Sequence, residues 1–478
     1  MVSLFFNISM SHAESPLSQT IKLKSVESSA VVLLPELDLE PLRNKAFNGG
    51  AHKALKFAET TDHDIDAQTM DGWLRVNSNN QDMSIWRLVI ESPNAYSINL
   101  GFTSYSMPED GKLFIYTDDY EYVVGPFTDE DNEEHGQLWS PIIPGKRITV
   151  EVNVPTSSVA DLTLVLKKIN QAYLDITKLS EEANSLKSGS CNFDVVCPQG
   201  DAWRSQIQSV AVYSTGGSLF CTGAAINNTE NDKRPFFLTA NHCGINSSNA
   251  PSVVAYWNFQ NSTCRASGSS ASGGSGNGSL SQFNSGAILR ASYSISDMTL
   301  IEFDDPVLSS ANVFFSGWNR ANSTFSSAVA IHHPNVDEKR ISFENNPVTI
   351  SGYLSGTGSG STHIRVADWD LGTTEPGSSG SPLFDPQRRI IGQLEGGFAA
   401  CGNDAPDWYG RIHTSWTGGS SNSTRLQNWL DPNNSGVIAI GGVFASAVVD
   451  SPVEPSDPSD EQSELVILPS IFILLEED

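Results

Sequence analysis

Three short stretches of the chain carry the residue types that nucleophilic catalysis needs. The stretch Glu375 to Phe384 has the sequence EPGSSGSPLF. Glycine and proline around adjacent serines favour a tight turn, in which backbone N–H groups converge on one point and a hydroxyl stands free. Such a turn suits a nucleophile with its own oxyanion hole, but the chain holds many other Gly/Ser loops. On its own, the turn therefore does not distinguish catalysis from an ordinary surface turn.

Two further segments supply the partners of a serine nucleophile. Phe237 to Cys243 is an apolar run that ends in His242, and Ser296 to Phe303 places Asp297 before a strand-like alternation of apolar and polar residues. A serine hydroxyl needs a histidine to take its proton, and an aspartate to hold the imidazole in the productive tautomer. The order His242, Asp297, Ser379 along the chain distinguishes one triad fold from the others.

With these three motifs, the chain resembles the chymotrypsin-like serine proteases. Among them it is most similar to the bacterial lysyl endopeptidases, which carry a comparable Gly-Ser-Ser-Gly-Ser-Pro nucleophile turn. The likeness covers about residues 188–444. It implies an all-β fold of two packed six-stranded antiparallel barrels, with His242 and Asp297 from the first barrel and Ser379 from the second. It also implies that the backbone N–H groups of Gly377 and Ser379 form the oxyanion hole.

Charge and length limit the other function classes. The chain has 478 residues, enough for two or three domains, and a formal net charge of −27, which excludes most nucleic-acid binders. Acidic residues outnumber Lys plus Arg by 27 to 15 before residue 188, by 19 to 13 from 188 to 444, and by 9 to 0 afterwards. The strongly acidic flanks are typical of solubilising, disposable regions.

All the cysteines lie in the central segment. An even number confined to one domain predicts disulfides and an oxidising destination; free thiols or zinc are the alternatives, and no Cys-x-x-Cys pair is present. The sequence leaves the connectivity open. The resemblance implies three bridges: Cys191 to Cys401, Cys197 to Cys264, and Cys221 to Cys243.

The flanking regions suggest a secreted precursor. Residues 1–13 are interpreted as a truncated signal segment, with a disordered terminus as the alternative. Residues 14–187 are interpreted as a pro-region that assists folding and inhibits the enzyme: a β-rich domain from about Trp73 to Val154, then a linker. A permanent binding domain is the alternative. The catalytic domain follows at 188–444, and 445–478 form an acidic Pro-rich linker with an apolar tail too short to span a bilayer.

The choice of substrate side chain depends on where an acidic residue lies in the pocket that binds it. Thr373, six residues before the nucleophile, stands where trypsin carries its aspartate, so a trypsin-type pocket is not indicated. The resemblance to lysyl endopeptidases places the pocket acid at Asp407, where a buried carboxylate pairs with a lysine ammonium if hydrogen bonds offset its desolvation. Asp404 is the competing position, and a solvated loop acid is the alternative reading of Asp407.

Other residues are assigned to the cleft by the same resemblance. Glu395 and Gly396 lie where the family runs a strand alongside the bound peptide, and we hypothesise that Glu395 favours basic residues upstream of the cut. Tyr353 is a candidate aromatic wall, with ordinary packing as the alternative. The pair His332 and His333 lacks a nearby third ligand, which favours a structural role over a metal site.

Lysine usage provides an independent argument. The central segment has two lysines, Lys233 and Lys339, against 11 arginines, whereas the region before it has 11 lysines and 4 arginines. A secreted enzyme that cuts after lysine would digest itself at exposed lysines and tolerate arginine; compositional accident is the alternative. The same logic predicts self-processing between Lys187 and Ser188. Ser378 stands where digestive relatives carry the aspartate that pairs with the new amino terminus, so activation through that pair is not expected.

The sequence therefore predicts a secreted bacterial serine endopeptidase that cuts protein or peptide substrates after lysine. It is expected to be a monomer without metal, cofactor, nucleic-acid partner or membrane span, and to be inhibited by its own pro-region. A protease that accepts both Lys and Arg, and an inactive protease-like binding module, are the rival hypotheses.

Overall fold

The fold was analysed in a computed structural model that describes residues 14–23, 31–47, 50–52, 54–176, 188–274, 276–358 and 360–445. Residues 1–446 form one compact unit, and a second unit, 447–478, lies outside the described residues. The predicted signal segment, Lys187 and the C-terminal tail also lie outside them. Within the described ranges, no helix is long and apolar enough to cross a membrane.

The region before residue 188 is a β-sandwich with two small helices. Its helices are α1 (Leu17–Thr20) and α2 (Leu39–Phe47). Its strands are β1 (Val31–Leu33), β2 (Leu55–Lys56), β3 (Ala58–Asp66), β4 (Leu74–Ser78), β5 (Gln81–Glu91), β6 (Ser97–Ser106), β7 (Lys112–Tyr116), β8 (Val123–Phe127), β9 (Leu138–Trp139), β10 (Ile143–Pro144), β11 (Arg147–Pro155) and β12 (Thr163–Ala172).

Two sheets of this sandwich enclose one apolar core. The first sheet has the order β1-β5-β11-β7-β8, with β4 also paired to β5, and the second has the order β10-β6-β12-β3, with β9 paired to β6. Inward residues of β5, such as Leu88, pack with inward residues of β6, such as Leu100. The period-2 alternation of a strand explains why each sheet has one apolar face. The domain is wider than the span from Trp73 to Val154 that turn signals predicted.

The region from residue 188 onward is also mostly β. Its helices are α3 (Arg204–Ile207), α4 (Ile412–Thr417) and α5 (Gln427–Leu430). Its strands are β13 (Phe193–Asp194), β14 (Val210–Thr215), β15 (Leu219–Ala225), β16 (Phe236–Ala240), β17 (Val254–Tyr256), β18 (Phe283–Ser285), β19 (Ala287–Tyr293), β20 (Met298–Phe303), β21 (Phe314–Phe315), β22 (Ala328–His332), β23 (Arg340–Glu344), β24 (Thr349–Ser351), β25 (His363–Val366), β26 (Pro382–Phe384), β27 (Ile390–Gly397), β28 (Asp407–Arg411) and β29 (Val443–Phe444).

These strands form two large sheets. The first has the order β18-β17-β14-β15-β16-β20-β19, with β2 of the N-terminal region added to β15. The second has the order β13-β23-β22-β26-β27-β28-β25-β24, and β21 pairs with β29 separately. The all-β prediction is confirmed for the described residues. The predicted count of six strands per barrel is not, because each sheet has eight members.

The sheets meet along a shared core, and the N-terminal region packs on the first of them. Leu238 and Leu300 of the first sheet lie in one apolar cluster with Ile331 and Phe384 of the second. A different cluster joins residues of the sandwich to β14 and β17. The ends of β16, β20 and β26 thereby come together at the junction of the two sheets.

Candidate active site

The structure brings the three predicted catalytic side chains together. His242 Nε2 lies 2.7 Å from Ser379 Oγ, and His242 Nδ1 lies 2.7 Å from Asp297 Oδ2. Ser379 and Asp297 are buried, while the His242 side chain is 13% exposed. Both distances are those of hydrogen bonds, so the imidazole can take a proton from the hydroxyl while the carboxylate fixes the opposite ring nitrogen.

Local structure holds the histidine and aspartate in register. His242 lies in a short 3-10 turn, Asn241–Cys243, that follows β16, and Asp297 precedes β20, which pairs with β16. Asp297 adopts a left-handed backbone conformation, φ +50°, and its Oδ1 accepts a hydrogen bond from the backbone N–H of His242 at 2.8 Å. Gln393 of β27 donates its Nε2 to the Asp297 carbonyl. The carboxylate therefore contacts both the ring and the backbone of His242.

The nucleophile turn is fixed by close backbone contacts. Gly377 has φ +95°, and a Cβ there would lie 2.7 Å from the His333 carbonyl oxygen, so this position requires glycine. Thr222 donates its backbone N–H to the Ser379 carbonyl at 2.7 Å and its hydroxyl to the Gly377 carbonyl at 2.8 Å. Within the described residues, the N–H groups of Gly377 and Ser379 donate to no other group. They remain available for an oxyanion.

The buried histidine pair supports this turn. His332 Nδ1 lies 2.9 Å from the Ser378 hydroxyl and its Nε2 lies 3.0 Å from Ser342 Oγ. His333 is fully buried, and burial lowers its pKa well below the ordinary value, so it is neutral at physiological pH. These contacts give the pair a structural role behind the nucleophile.

The predicted pocket acid is a buried carboxylate. Asp407 begins β28 and is fully buried, whereas Asp404 is exposed. Asp407 Oδ2 accepts hydrogen bonds from Thr374 Oγ1 at 2.5 Å and Trp369 Nε1 at 2.9 Å. Both of these donors are neutral, and their hydrogen bonds offset part of the desolvation of the carboxylate. The two aspartates thus differ in burial, and the role of Asp407 as the pocket acid stays a prediction.

Sequence reasoning missed Thr374 and Trp369. Thr373, the position chosen by analogy with trypsin, is buried, and its carbonyl accepts a hydrogen bond from Ser342 at 2.8 Å. Its neighbour Thr374 carries the hydroxyl that reaches Asp407. Nothing in the local sequence marks these two donors, because they reach the carboxylate only through the packing of β25, β28 and the nucleophile loop.

The proposed peptide-binding edge is β27. Gly396 has φ +157°, and a Cβ on it would meet the Ala51 carbonyl at 2.1 Å and the Tyr353 hydroxyl at 3.1 Å. Tyr353 is half-buried, and burial, followed by the charge of Glu395, raises the pKa of its phenol. Glu395 accepts a hydrogen bond from His363, a partner that the sequence did not indicate. The roles of Glu395 and Tyr353 in specificity stay predictions.

Three disulfides lie in the region from residue 188 onward, which is called the catalytic region below. They join Cys191 to Cys401, Cys197 to Cys264, and Cys221 to Cys243, the pairing that the resemblance implied. The bridge at Cys243 holds the residue next to His242 to strand β15. It therefore ties the turn of the triad histidine to an interior strand of the first sheet.

Comparisons with known proteins found a matching family model, a curated relative and similar solved structures. Residues 186–410 match the family described as lysyl endopeptidase, C-terminal domain. A lysyl endopeptidase of Pseudomonas aeruginosa is 28% identical over 325 residues, 64% of this chain and 66% of that protein. Among similar solved structures is a Glu endopeptidase in complex with MPD, which is 17% identical over 46% of this chain and 90% of that chain, with a TM-score of 0.30. Another is the HtrA-type protease AlgW with tripeptide, which is 15% identical over 44% of this chain and 59% of that chain, with a TM-score of 0.28.

These findings show that the chain is similar to proteins described as lysyl endopeptidases. The resemblance that the motifs predicted is confirmed for residues 186–410, which match the family model. The match covers 66% of the curated relative's own length, slightly less than two thirds.

Proposed function

We propose that this protein is a secreted bacterial endopeptidase that cuts proteins and peptides on the carboxyl side of lysine. The observation that carries the proposal is a serine, a histidine and an aspartate in hydrogen-bond contact, in a structure that also holds a buried carboxylate, Asp407, which accepts hydrogen bonds from Thr374 and Trp369. The first group of contacts supports acyl transfer, and the buried charge supports selection of a cationic side chain.

The reaction follows from the contacts of the triad. Ser379 Oγ attacks the peptide carbonyl while His242 takes its proton, and His242 then gives that proton to the leaving amine. Asp297 holds the imidazole and stabilises its charged form. The N–H groups of Gly377 and Ser379 stabilise the oxyanion, whose negative charge exists only in the tetrahedral intermediate and its flanking transition states. Water completes hydrolysis of the acyl-enzyme.

Lysine selectivity is supported by the place of Asp407 at the end of the peptide-binding edge. Asp407 pairs with Gly397 between β27 and β28, and a Cβ on Gly397 would lie 2.2 Å from Asp407 Oδ1. A side chain that enters beside Gly397 thus meets the carboxylate. The two lysines of the catalytic domain fit the same proposal, because Lys339 is fully buried and Lys233 lies in a turn with φ +63°, unlike an extended substrate.

Processing between Lys187 and Ser188 is supported by the surroundings of Ser188. Ser188 is buried; its backbone N lies 3.2 Å and its Oγ 2.7 Å from Asp337 Oδ2. Cleavage would turn this amide into an ammonium next to a buried carboxylate, which strengthens the contact. Asp337 would then form the ion pair with the new amino terminus that Ser378, which carries no charge, cannot form. The loop of Asp337 also packs on Gly377 through Val336.

Closure of both sheets into six-stranded barrels is a further part of the proposal. Only Gly286 separates β18 from β19, so the two act as one bent strand that joins both ends of the first sheet. In the second, Leu371 and Phe343 exchange two backbone hydrogen bonds of 3.2 and 2.9 Å, which link the stretch after β25 to β23. Six strands remain in the first sheet when β18 and β19 count as one and β2 is left out, and six remain in the second when the terminal β13 and β24 are left out.

The test compares the purified enzyme with two variants on matched lysine and arginine amide substrates. The active enzyme should favour lysine, and Ser379→Ala should remove hydrolysis and labelling by a serine-directed phosphonate. Asp407→Asn should keep the labelling and lose the preference for lysine. Equal activity on both substrates would support the Lys/Arg rival, and absence of labelling would support an inactive module. N-terminal sequencing should find Ser188 at the start of the mature enzyme.

Three disulfides support an extracellular, oxidising location. The monomeric state and the inhibition by the N-terminal region remain part of the proposal, and sedimentation of the purified precursor and mature forms tests both the size and the association of the two parts.

A further inference from the structure

One segment of the N-terminal region crosses the active site. His52 forms an antiparallel bridge with Gly396, and the backbone N–H of Gly397 donates to the Ala51 carbonyl at 2.8 Å. An extended peptide that adds to a sheet edge through main-chain hydrogen bonds is a common mode of peptide recognition. Residues 51 and 52 therefore lie against β27 as an added strand, on the side of the site where the pocket carboxylate is.

The same segment pairs again on the other side of the triad. In β2, Leu55 and Lys56 pair with Phe220 and Leu219 of β15 in antiparallel register, and the backbone N–H of Phe57 donates to the Ser218 carbonyl at 2.9 Å. Leu55 is fully buried. Strand β15 continues to Cys221, whose disulfide partner Cys243 follows His242.

The catalytic histidine lies between these two pairings. The imidazole of His52 packs on the imidazole of His242, with ring centroids 4.6 Å apart, and on Tyr353 at 5.7 Å. Gly396 has to be glycine for this approach, since a Cβ there would lie 2.1 Å from the Ala51 carbonyl oxygen. Two anchored stretches of one strand thus flank the triad, and only positions 53 and 54 separate them.

We infer that this strand is the enzyme's own first substrate and that the bond between Lys53 and Ala54 is a self-cleavage site. The inference rests on the proposed function. Lys53 itself lies outside the described residues, and the register is set by His52 on one side and Ala54 and Leu55 on the other. A lysine at position 53 is the residue type that the pocket carboxylate selects.

The step is ordinary peptide hydrolysis. Ser379 Oγ forms a bond to the carbonyl carbon of residue 53, and His242 moves the hydroxyl proton to the nitrogen of Ala54 as the C–N bond breaks. Water then cleaves the ester, which restores the serine hydroxyl and leaves a carboxylate on residue 53. Until that step, the strand occupies the cleft and excludes other peptides.

The experiment uses the full chain as wild type and as three variants: Ser379→Ala, Lys53→Gln and the control Lys45→Gln, which changes an exposed lysine of α2 in the same region. Intact mass and N-terminal sequencing are followed over time. Wild type and Lys45→Gln should yield a fragment that begins Ala54-Leu55-Lys56. Ser379→Ala and Lys53→Gln should not.

A second measurement does not depend on folding of the variants. The mature enzyme is given a synthetic peptide of residues 47–60, which contains Lys53 and Lys56. Cleavage after Lys53 should be at least about tenfold faster than after Lys56, and replacing His52 by alanine should slow it about two- to tenfold through loss of the ring contact.

The outcomes separate the two proposals. If the mature enzyme cuts denatured proteins after lysine but neither precursor nor peptide is cut after Lys53, the inferred site is wrong and the proposed function stands. Preferential cleavage after Lys56 also overturns the site, because it implies a different register. If no lysyl bond of any substrate is cut, the proposed function itself fails.

Discussion

The sandwich and the catalytic region are both β-structures, but they differ in what holds them together. The sandwich contains no cysteine and has 11 lysines up to residue 187, whereas the catalytic region has all six cysteines, two lysines and buried ion pairs such as Arg265 with Asp194. Disulfides constrain the unfolded chain, and a lysine-poor surface removes cleavage sites. Under the proposed function, the sandwich offers many lysyl bonds for cleavage and the catalytic region offers few.

The sandwich and the catalytic region also contribute differently to the active site. The catalytic region supplies every group of the triad, and the sandwich side supplies the strand at Ala51 and His52 that covers it. A region whose strand reaches the triad is consistent with the proposed inhibition followed by cleavage. The following predictions test this contrast, from the largest expected effect to the smallest.

Replacing the nucleophile should abolish hydrolysis and leave the lysine-rich N-terminal region attached to the catalytic region. Ser379→Ala should lower hydrolysis of a lysyl amide by about 10⁴- to 10⁶-fold, because the oxyanion hole and substrate binding alone provide little catalysis. The precursor should then accumulate with its lysine-rich region intact. Gel analysis and steady-state rates measure both effects; processing at the wild-type rate would show that another protease removes the region.

Removing the pocket charge should affect only the choice of substrate. Asp407→Asn should lower kcat/KM for lysyl substrates by about 30- to 1,000-fold, because one partner of a buried charge pair is lost. The matched control, Asp404→Asn, changes an exposed carboxylate and should stay within about twofold. An equal loss in both variants would place the lysine-binding charge elsewhere.

Opening the bridge beside the histidine should destabilise one region only. The double change Cys221→Ala and Cys243→Ala removes a bridge between residues 22 positions apart, and should lower the free energy of unfolding of the catalytic region by about 3 kcal/mol. Hydrogen exchange on the Ser379→Ala precursor can follow each region separately. Strands β5 and β11 of the sandwich should keep their protection; a matching loss there would mean that the regions unfold as one.

The buried lysine of the catalytic region should make its stability depend on pH. Burial lowers the pKa of Lys339 to about 7 from 10.5. Between these values the unfolded chain holds a proton that the folded chain has lost, so this group destabilises the protein most below about pH 7, and the penalty is relieved as pH rises toward 10. The slope is up to about 1.4 kcal/mol per pH unit.

Urea unfolding of the Ser379→Ala precursor at pH 6, 8 and 10 measures this slope. Lys339→Met should raise stability most at pH 6 and least at pH 10. Lys168→Met in the sandwich, where the side chain is 38% exposed, should leave the pH profile unchanged. A pH-independent effect of Lys339→Met would indicate that packing, not ionisation, is responsible.

The catalytic region should be cut slowly by the enzyme itself at its exposed lysine. Lys233 is exposed, in a turn with positive φ, and has to become extended before it can enter the cleft. Prolonged incubation should therefore produce a nick between Lys233 and Arg234, and Lys233→Arg should delay it severalfold. Mass spectrometry of aged enzyme identifies the nick; first cleavage elsewhere in the region would contradict the protective role of lysine scarcity.

The sequence alone determined the chemistry, because the motifs around His242, Asp297 and Ser379 combine residue types and an order that few folds share. It also indicated a β-rich N-terminal region, since strand periodicity and turn residues are local signals, and the resemblance implied the all-β class of the central segment. Only the tertiary structure shows that Asp407 is buried and Asp404 is exposed, because burial is a property of the packed sheets. The same holds for Thr374, Ser188 beside Asp337, and the strand at His52. These contacts join residues separated by 33, 149 and 190 positions, and no local pattern records such pairings.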